Sequence, residues 1–146
     1  MKVKIKRVDK TLPLPQYHTS GSVGLDLYAR VDTKILSKKV GMVPCNVIIA
    51  TPPGYMLMIA SRGSTPIKKG LIPANGVGIG DQDFAGESDE YHFIAYNFTN
   101  KAVVVKKGER VAQGIFVKIE KVDWEEVNSM GENPNRGGFG STGGNK

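Results

Sequence analysis

Apolar and polar residues alternate with a period of two along much of this 146-residue chain. Successive side chains of a β-strand point to opposite faces of its sheet, so this period is typical of strands with one buried face. Turn-forming residues separate the segments, and the pattern lacks the long helices of a parallel α/β fold. The sequence therefore predicts an all-β barrel or a double-sheet jelly roll. The predicted strands cover residues 3–8, 25–29, 55–60, 91–99, 102–105 and 110–119.

One short helix of about one turn is predicted after the third strand. Ser64 or Thr65 suits the N-cap, Pro66 the first helical position, and Gly70 the position just beyond the end. Arg62 precedes this helix. Unpaired N–H groups at a helix N-terminus favour an anion, so the stretch is either a phosphate-binding corner or simply an arginine at a strand end.

Charge and cysteine content limit the possible partners and compartment. The net charge is +6, but the lysines are scattered over the predicted strands, which is typical of solvated faces, and an aromatic-rich RNA-binding motif is absent. We therefore expect no direct nucleic-acid binding. The single cysteine, Cys45, cannot form an internal disulfide, and no apolar run reaches membrane-spanning length. These features predict a cytoplasmic protein without membrane contact.

The composition changes near Asn128, where the alternation stops and glycine becomes frequent. We expect residues 1–127 to form the β-barrel core and residues 128–146 to form a mobile, glycine-rich C-terminal arm. Such a segment cannot bury enough apolar surface to fold by itself.

The arm contains a literal match to a nucleotide-binding pattern. Residues 138–143, GFGSTG, fit G-x-G-x-x-G, but no strand precedes them and no helix can follow, so they are not a dinucleotide-binding fingerprint. Glycines still allow close backbone approach to an anion, and Arg136, Ser141 and Thr142 add donors. Phe139 would either anchor the arm on a surface or stack on a planar ligand.

An acidic segment, DQDFAGESDE, covers residues 81–90. Asp81 and Asp83 stand at positions one and three of a calcium loop, but position twelve is His92, where a bidentate glutamate is required. The segment is therefore either a solvated hairpin or the source of a general base or of a magnesium-linked carboxylate. His18 and His92 lie near no nucleophile signature and are expected to be structural.

Five short motifs follow one another in a characteristic order. They are GSVGLDLYA (21–29), SRGST (61–65), NGVGIGDQDFAGE (75–87), GERVAQGIF (108–116) and NRGGFGSTG (135–143). In this order they resemble the trimeric dUTPase family, the deoxyuridine 5′-triphosphate nucleotidohydrolases, over essentially the whole chain. The resemblance implies Mg²⁺-dependent hydrolysis of dUTP to dUMP and pyrophosphate, which limits uracil in DNA and supplies dUMP for dTMP synthesis. It also implies a distorted jelly-roll barrel assembled as a homotrimer with shared active sites.

The resemblance also implies a catalytic set, position by position. Asp81 would hold and activate the water that attacks the α-phosphorus, and Asp83 matches a substrate-binding carboxylate of the same motif. Arg62 and Gln113 would complete the catalytic set by orienting the phosphates. Asp26 would support the water shell of the metal.

Further positions would bind the substrate by the same resemblance. Ser64 would contact phosphate. Asn75 and the backbone that includes Gly76 and Gly78 would form a hairpin that reads uracil. Phe84 would lie under the deoxyribose and exclude a 2′-hydroxyl.

The arm would supply the remaining contacts. Phe139 would cover the uracil ring, and Arg136, Ser141 and Thr142 would hold the γ-phosphate. Gly140 would be a further substrate-binding position.

Three positions depart from the usual pattern of the family. Gly63 stands where a phosphate-binding serine is common, and Gly80 replaces an apolar residue, which would loosen the hairpin before Asp81. Phe84 replaces a tyrosine and loses only a hydroxyl. These departures leave a catalytically weakened nucleotide-binding or protein-interaction module as an alternative. A dCTP deaminase is less favoured, because the strand after the acidic segment lacks the glutamate that this reaction needs.

Overall fold

The computed structural model describes residues 1–138, in which the chain forms eleven short strands and one short helix. The all-β prediction is confirmed. The strands are β1 (Ile5–Arg7), β2 (Leu25–Tyr28), β3 (Thr33–Ile35), β4 (Val40–Pro44), β5 (Val47–Ile49), β6 (Tyr55–Ser61), β7 (Leu71–Pro73), β8 (Gly78–Gly80), β9 (His92–Asn97), β10 (Val103–Val105) and β11 (Arg110–Lys118), and the helix is α1 (Ser64–Lys69).

The strands form four small antiparallel sheets. The largest has the order β2-β11-β6-β8, and a three-stranded sheet has the order β4-β9-β7. The pairs β1-β5 and β10-β3 make the other two. Most neighbours in space are distant in the chain, so residues on β2, β6 and β11 meet only when these long-range pairings form.

The sheets enclose one core of aliphatic and aromatic side chains. Leu27, Val43, Leu57 and Phe93 come from four different strands and are almost completely buried. Burying side chains of this size stabilises the folded state by about 1.5–3 kcal/mol each. Cys45 lies among them, and burial raises the pKa of its thiol to about 12. The thiol therefore belongs to the core and stays protonated.

Five strands have no counterpart in the predicted set. These are β3, β4, β5, β7 and β8, each of three to five residues. All three residues of β5 are buried, and two of the three residues of β8 are glycine, so neither shows a period of two. Strands this short are defined by their partners rather than by their own pattern.

The predicted start of the helix is wrong and its predicted end is confirmed. The cap position is Gly63, without a side-chain hydrogen bond, and Ser64 and Thr65 lie inside the first turn. Thr65 is buried there, and its hydroxyl is satisfied because it donates to the backbone oxygen of Val111 at 3.1 Å. Gly70 ends the helix in the left-handed conformation, with φ of 65°. Within residues 1–138, no helix is long and apolar enough to cross a membrane.

The chain leaves the sheets after β11. This strand ends at Lys118, and all residues from 120 to 138 are exposed and form neither helix nor strand. Trp124 is 91% exposed. The predicted division between a core of residues 1–127 and an arm of residues 128–146 stays a prediction.

Candidate active site

Three strands of the largest sheet bring motif residues together. β11 is the central strand, and its Gln113 lies opposite Asp26 of β2 on one side and Ala60 of β6 on the other. Arg62 follows directly after β6 ends at Ser61. The pairing of segments that are distant in sequence therefore places Asp26, Arg62 and Gln113 side by side.

The carboxylate of Asp26 is the centre of this cluster, and only 7% of the residue is exposed. Its Oδ1 accepts a hydrogen bond from Nε of Arg62 at 2.8 Å, and its Oδ2 accepts one from Nη1 of Arg110 at 3.1 Å. Nε2 of His18 lies 3.0 Å from the same Oδ2. A buried carboxylate is costly unless it is paired, and here both oxygens hold cationic groups in place.

Arg110 and His18 also belong to the cluster, although neither was predicted as a site residue and His18 was expected to be structural. In a regular strand, positions 110 and 113 would point to opposite faces because their spacing is odd. A β-bulge between Arg110 and Ala112 adds one residue, so both Arg110 and Gln113 reach the same cavity. Alternation does not reveal such a bulge. His18 comes from a distant loop, and its Nε2 lies 3.3 Å from Nη1 of Arg110.

The cluster lines an open cavity of about 570 Å³, here called the basic cavity. Gln113 is fixed at its wall, because its Nε2 donates to the backbone oxygen of Ser61 at 3.1 Å. Gly24 makes room for this side chain, since a Cβ there would lie 2.4 Å from Oε1 of Gln113. Two guanidinium groups against one carboxylate give the cavity a positive charge suited to an anion. Its lining includes Asp26, Arg62, Gly63, Ser64 and Arg110.

A second cavity of about 250 Å³, here called the turn cavity, lies beside the turn between β7 and β8. Its lining includes Asn75, Gly78, Asp81 and Phe84, so the structure brings four predicted site residues together. The ring of Phe84 packs edge-on against Tyr91, with ring centroids 5.1 Å apart and an interplanar angle of 63°.

The predicted uracil-reading hairpin is a corner between two sheets. β7 pairs with β9, whereas β8 pairs with β6, so the turn at Asn75 and Gly76 joins the sheets instead of closing a paired hairpin. Gly76 has φ of 73°, a conformation that glycine adopts without strain. The turn therefore presents its backbone at the edge of the turn cavity.

Asp83 does not line the turn cavity. With Asp81 and Lys121, it lines an adjacent cavity of about 480 Å³, so Asp81 is shared by both. Across residues 1–138, no group of three or more His, Cys, Asp or Glu side chains is arranged to hold a metal ion.

Two glycines that depart from the family pattern have different surroundings. Gly80 is buried in β8, and a Cβ there would lie 2.6 Å from the hydroxyl oxygen of Tyr91. The expectation that Gly80 loosens the segment before Asp81 is therefore wrong in terms of packing, because Tyr91 fills the space. A Cβ at Gly63 would meet no atom within 4 Å, so nothing replaces the missing side chain there.

Asp81 and Arg62 lie beyond opposite ends of the β6-β8 pair. Gly80 pairs with Leu57, so Asp81 faces position 56, six residues before Arg62. A strand rises about 3.3 Å per residue, which puts Asp81 and Arg62 about 20 Å apart. The phosphorus atoms of a triphosphate are only a few ångströms apart. The backbone separation of Asp81 and Arg62 within one chain is therefore larger than the length of a triphosphate.

Of the substrate-binding residues predicted in the arm, only Arg136 is within the described part of the chain. It is exposed and lines neither cavity. Four further predicted residues lie outside the described residues, namely Phe139, Gly140, Ser141 and Thr142.

The fold and the basic cavity define an all-β protein with a site for a phosphorylated ligand. Residues 10–143 match the family model of dUTPase, and the chain belongs to the dUTPase family. It is 40% identical over 148 residues to the deoxyuridine 5′-triphosphate nucleotidohydrolase of Anaplasma marginale (strain St. Maries), with 98% of this chain and 99% of that protein covered.

Solved dUTPase structures have the same fold. The dUTPase from Streptococcus mutans superimposes with a TM-score of 0.75 at 29% identity, covering 82% of this chain and 98% of that one. The dUTPase of Staphylococcus bacteriophage 80alpha, solved with dUPNHPP, gives a TM-score of 0.84 at 19% identity, covering 97% and 98%. The predicted dUTPase-like jelly-roll barrel is thereby confirmed.

Replacing Arg62 with alanine should weaken the binding of inorganic tripolyphosphate by about one to two orders of magnitude, because one charge-assisted hydrogen bond is worth about 1.5–3 kcal/mol. Isothermal titration calorimetry measures the affinity. Lys34→Ala removes the same charge from exposed β3, away from the basic cavity, and is the matched control. Equal losses in the two variants would mean that tripolyphosphate responds only to net charge.

Proposed function

We propose that this chain hydrolyses dUTP to dUMP and pyrophosphate by attack of water on the α-phosphorus. The observation that carries the proposal is the division of the motif residues between two cavities. The basic cavity suits a triphosphate, and the turn cavity suits a nucleoside with a carboxylate beside it. Family membership and a nearly full-length relative named for this reaction support the same substrate.

The basic cavity positions the triphosphate. Arg62 and Gln113 orient the phosphates, and Ser64 contacts them. The 2.8 Å hydrogen bond from Arg62 to Asp26 sets the guanidinium in place before the substrate arrives. Phosphoryl-transfer catalysis depends mainly on positioning and on stabilising charge, so donors that are already ordered lower the barrier.

The turn cavity binds the nucleoside. Asn75 and the backbone of Gly76 and Gly78 read the polar edge of uracil and leave no room for the methyl group of thymine. Phe84 lies under the deoxyribose, where its ring leaves no space for a 2′-hydroxyl. Asp83 lines the adjacent cavity with Asp81 and is a further carboxylate close to this site.

Asp81 is the general base in this proposal, and it is exposed where a water can reach it. The water oxygen forms a bond to the α-phosphorus while its proton passes to the Asp81 carboxylate. The bond between the α-phosphorus and the oxygen that bridges to the β-phosphate breaks, and pyrophosphate leaves. The remaining product is dUMP.

We also propose that Mg²⁺ accompanies the triphosphate. Each oxygen of Asp26 already accepts a hydrogen bond from an arginine, so this carboxylate suits a contact with a metal-bound water better than a direct metal bond. When bound, Mg²⁺ offsets part of the negative charge on the phosphate oxygens.

We further propose a homotrimer with shared active sites. Because Asp81 and Arg62 are about 20 Å apart in one chain, they must come from neighbouring copies to act on one dUTP. The β4-β9-β7 sheet supports self-association through an exposed apolar face. On this face Val40, Met42 and Ile72 are 57%, 56% and 39% exposed. Contiguous apolar surface of this kind is usually covered in an assembly.

The C-terminal arm completes the site in this proposal. Phe139 covers the uracil ring, and stacking of this kind contributes about 1–3 kcal/mol. The γ-phosphate is held by the polar residues of the arm, and closure excludes bulk water from the reaction. These residues are Arg136, Gly140, Ser141 and Thr142.

Purified protein with Mg²⁺ should release pyrophosphate from dUTP and far less from dCTP, dTTP or UTP. The edge of cytosine presents the opposite donors and acceptors to the turn cavity, and a mismatch of buried polar groups lowers kcat/KM by about 10⁴-fold. A coupled pyrophosphate assay measures the four rates, with Asp81→Asn as the inactive control. No release from dUTP, or similar rates for all four nucleotides, would contradict the proposed function.

Gly63→Ser should raise turnover of dUTP by about one to two orders of magnitude, since it adds one hydrogen bond to a charged phosphate. The site accepts a side chain without strain, because φ of −54° is ordinary for any residue and a Cβ meets nothing within 4 Å. Gly63→Ala fits equally well but adds no donor, so it is the matched control. If serine gave no more turnover than alanine, a missing hydroxyl would not limit the rate.

Mixing two inactive variants tests the shared site. Asp81→Asn and Arg62→Ala should each be inactive alone, but refolding them together should restore roughly a quarter of the wild-type rate. This fraction follows because half of the sites receive an intact Asp81 and, independently, half receive an intact Arg62. No recovery in mixed oligomers, with their formation checked by mass spectrometry, would place both residues of a site on one chain.

A further inference from the structure

Tyr91 joins the protein core to the turn cavity. The residue precedes β9 and is 5% exposed. Its N–H donates to the backbone oxygen of Val47 at 2.9 Å, and its own backbone oxygen accepts from the N–H of Cys45 at 2.8 Å. Val47 and Cys45 are completely buried. The backbone of Tyr91 is therefore fixed by the core, and its ring extends from that fixed point to the wall of the turn cavity.

The ring of Tyr91 covers Gly80, the residue before Asp81. A Cβ added at position 80 would lie 2.6 Å from the Tyr91 hydroxyl oxygen, 2.8 Å from Cε1 and 2.9 Å from Cζ. The backbone does not demand glycine there, because Gly80 is not among the glycines with positive φ. The lack of a side chain at Gly80 therefore leaves the space that the Tyr91 ring occupies.

The same ring contacts Phe84, three residues after Asp81. The centroid distance of 5.1 Å and the angle of 63° are those of a favourable edge-to-face aromatic pair. Tyr91 therefore touches the chain on both sides of Asp81, which fixes the short segment that carries this carboxylate.

The hydroxyl of Tyr91 contributes shape rather than a hydrogen bond. In the described part of the chain, neither this hydroxyl nor that of Thr51 makes a hydrogen bond of good geometry, although the two side chains are close together. Burial raises the pKa of Tyr91, although Thr51 is near enough to oppose the rise. Core stability alone would not favour a buried tyrosine with an unpaired hydroxyl. The hydroxyl does, however, extend the ring over Gly80.

We propose that Tyr91 is a positioning residue whose ring, seated on Gly80 and against Phe84, holds Asp81 and Phe84 where the reaction needs them. The inference rests on the proposed function, which assigns water activation to Asp81 and sugar recognition to Phe84. Gly80 and Tyr91 act as one size-matched pair, so the glycine that departs from the family pattern is compensated by the tyrosine.

A kinetic comparison of dUTP with UTP tests the role of the ring. Tyr91→Leu removes the aromatic pair and should lower the ratio of kcat/KM for dUTP to that for UTP by about threefold to tenfold. Tyr91→Phe keeps the ring, so its ratio should stay close to that of the wild type. Phe93→Leu truncates a buried ring of β9 outside the turn cavity, so it should lower the thermal midpoint without changing the ratio. Equal ratios for Tyr91→Leu and Phe93→Leu would overturn the proposal.

A double-variant cycle tests the pair. Gly80→Ala should lower the thermal midpoint and the rate in the wild-type background, because the methyl group displaces the ring. The same change should be tolerated in Tyr91→Leu, where the space is free, so the two effects are not additive. Additive effects would overturn the proposal. The thermal midpoints of these variants can be compared without any enzymatic activity. If the wild-type chain leaves dUTP intact, the proposed function is refuted. The coupling between positions 80 and 91 in the thermal midpoints would still decide whether Gly80 and Tyr91 form a size-matched pair.

Discussion

Strand β11 pairs with both β2 and β6, and residues of both cavities take their positions from this pairing. It sets Gln113 between Asp26 and the end of β6, and β6 in turn pairs with β8, which leads to Asp81. Side chains alternate between faces along a strand, so a slip of one residue in β11 would turn Gln113 away from the basic cavity. The bulge near Arg110 adds a second cation to the same face. The register of one strand therefore decides which charges meet.

An anion site must hold like charges close together, and the carboxylate of Asp26 makes this possible. Arg62 and Arg110 would repel each other across the cavity, but each is hydrogen-bonded to one oxygen of Asp26. The carboxylate offsets their repulsion and fixes their directions, while the pair of cations stabilises a buried negative charge. With one negative charge against two positive ones, the cluster keeps an attraction for phosphate.

The sequence predicted the fold class and the linear motifs better than the geometry of the site. Long strands with alternation, such as β6 and β11, were predictable because burial of one face dictates their pattern. Strand β5 was not, because both of its faces are buried. Arg110 and His18 were missed because a bulge and a distant loop bring them to Asp26. The contact of Tyr91 with Gly80 was not predictable either, since the two residues are eleven positions apart in the sequence. A glycine in place of an apolar residue shows only that a side chain is missing, and it does not show which residue fills the space.

The distance between the cavities gives the proposed reaction a dependence on assembly. In a single folded chain, the basic cavity that carries Arg62 and the turn cavity that carries Asp81 are separate. A dUTP molecule that contacts Arg62 of one copy and Asp81 of another binds only the assembled state, so it stabilises the oligomer by mass action. In the proposed arrangement, the lone chain would bind a phosphate group in the basic cavity while the base-binding turn cavity stays about 20 Å away along the strands. The proposed shared site would thereby make hydrolysis depend on assembly through geometry alone, with no inhibitory segment required.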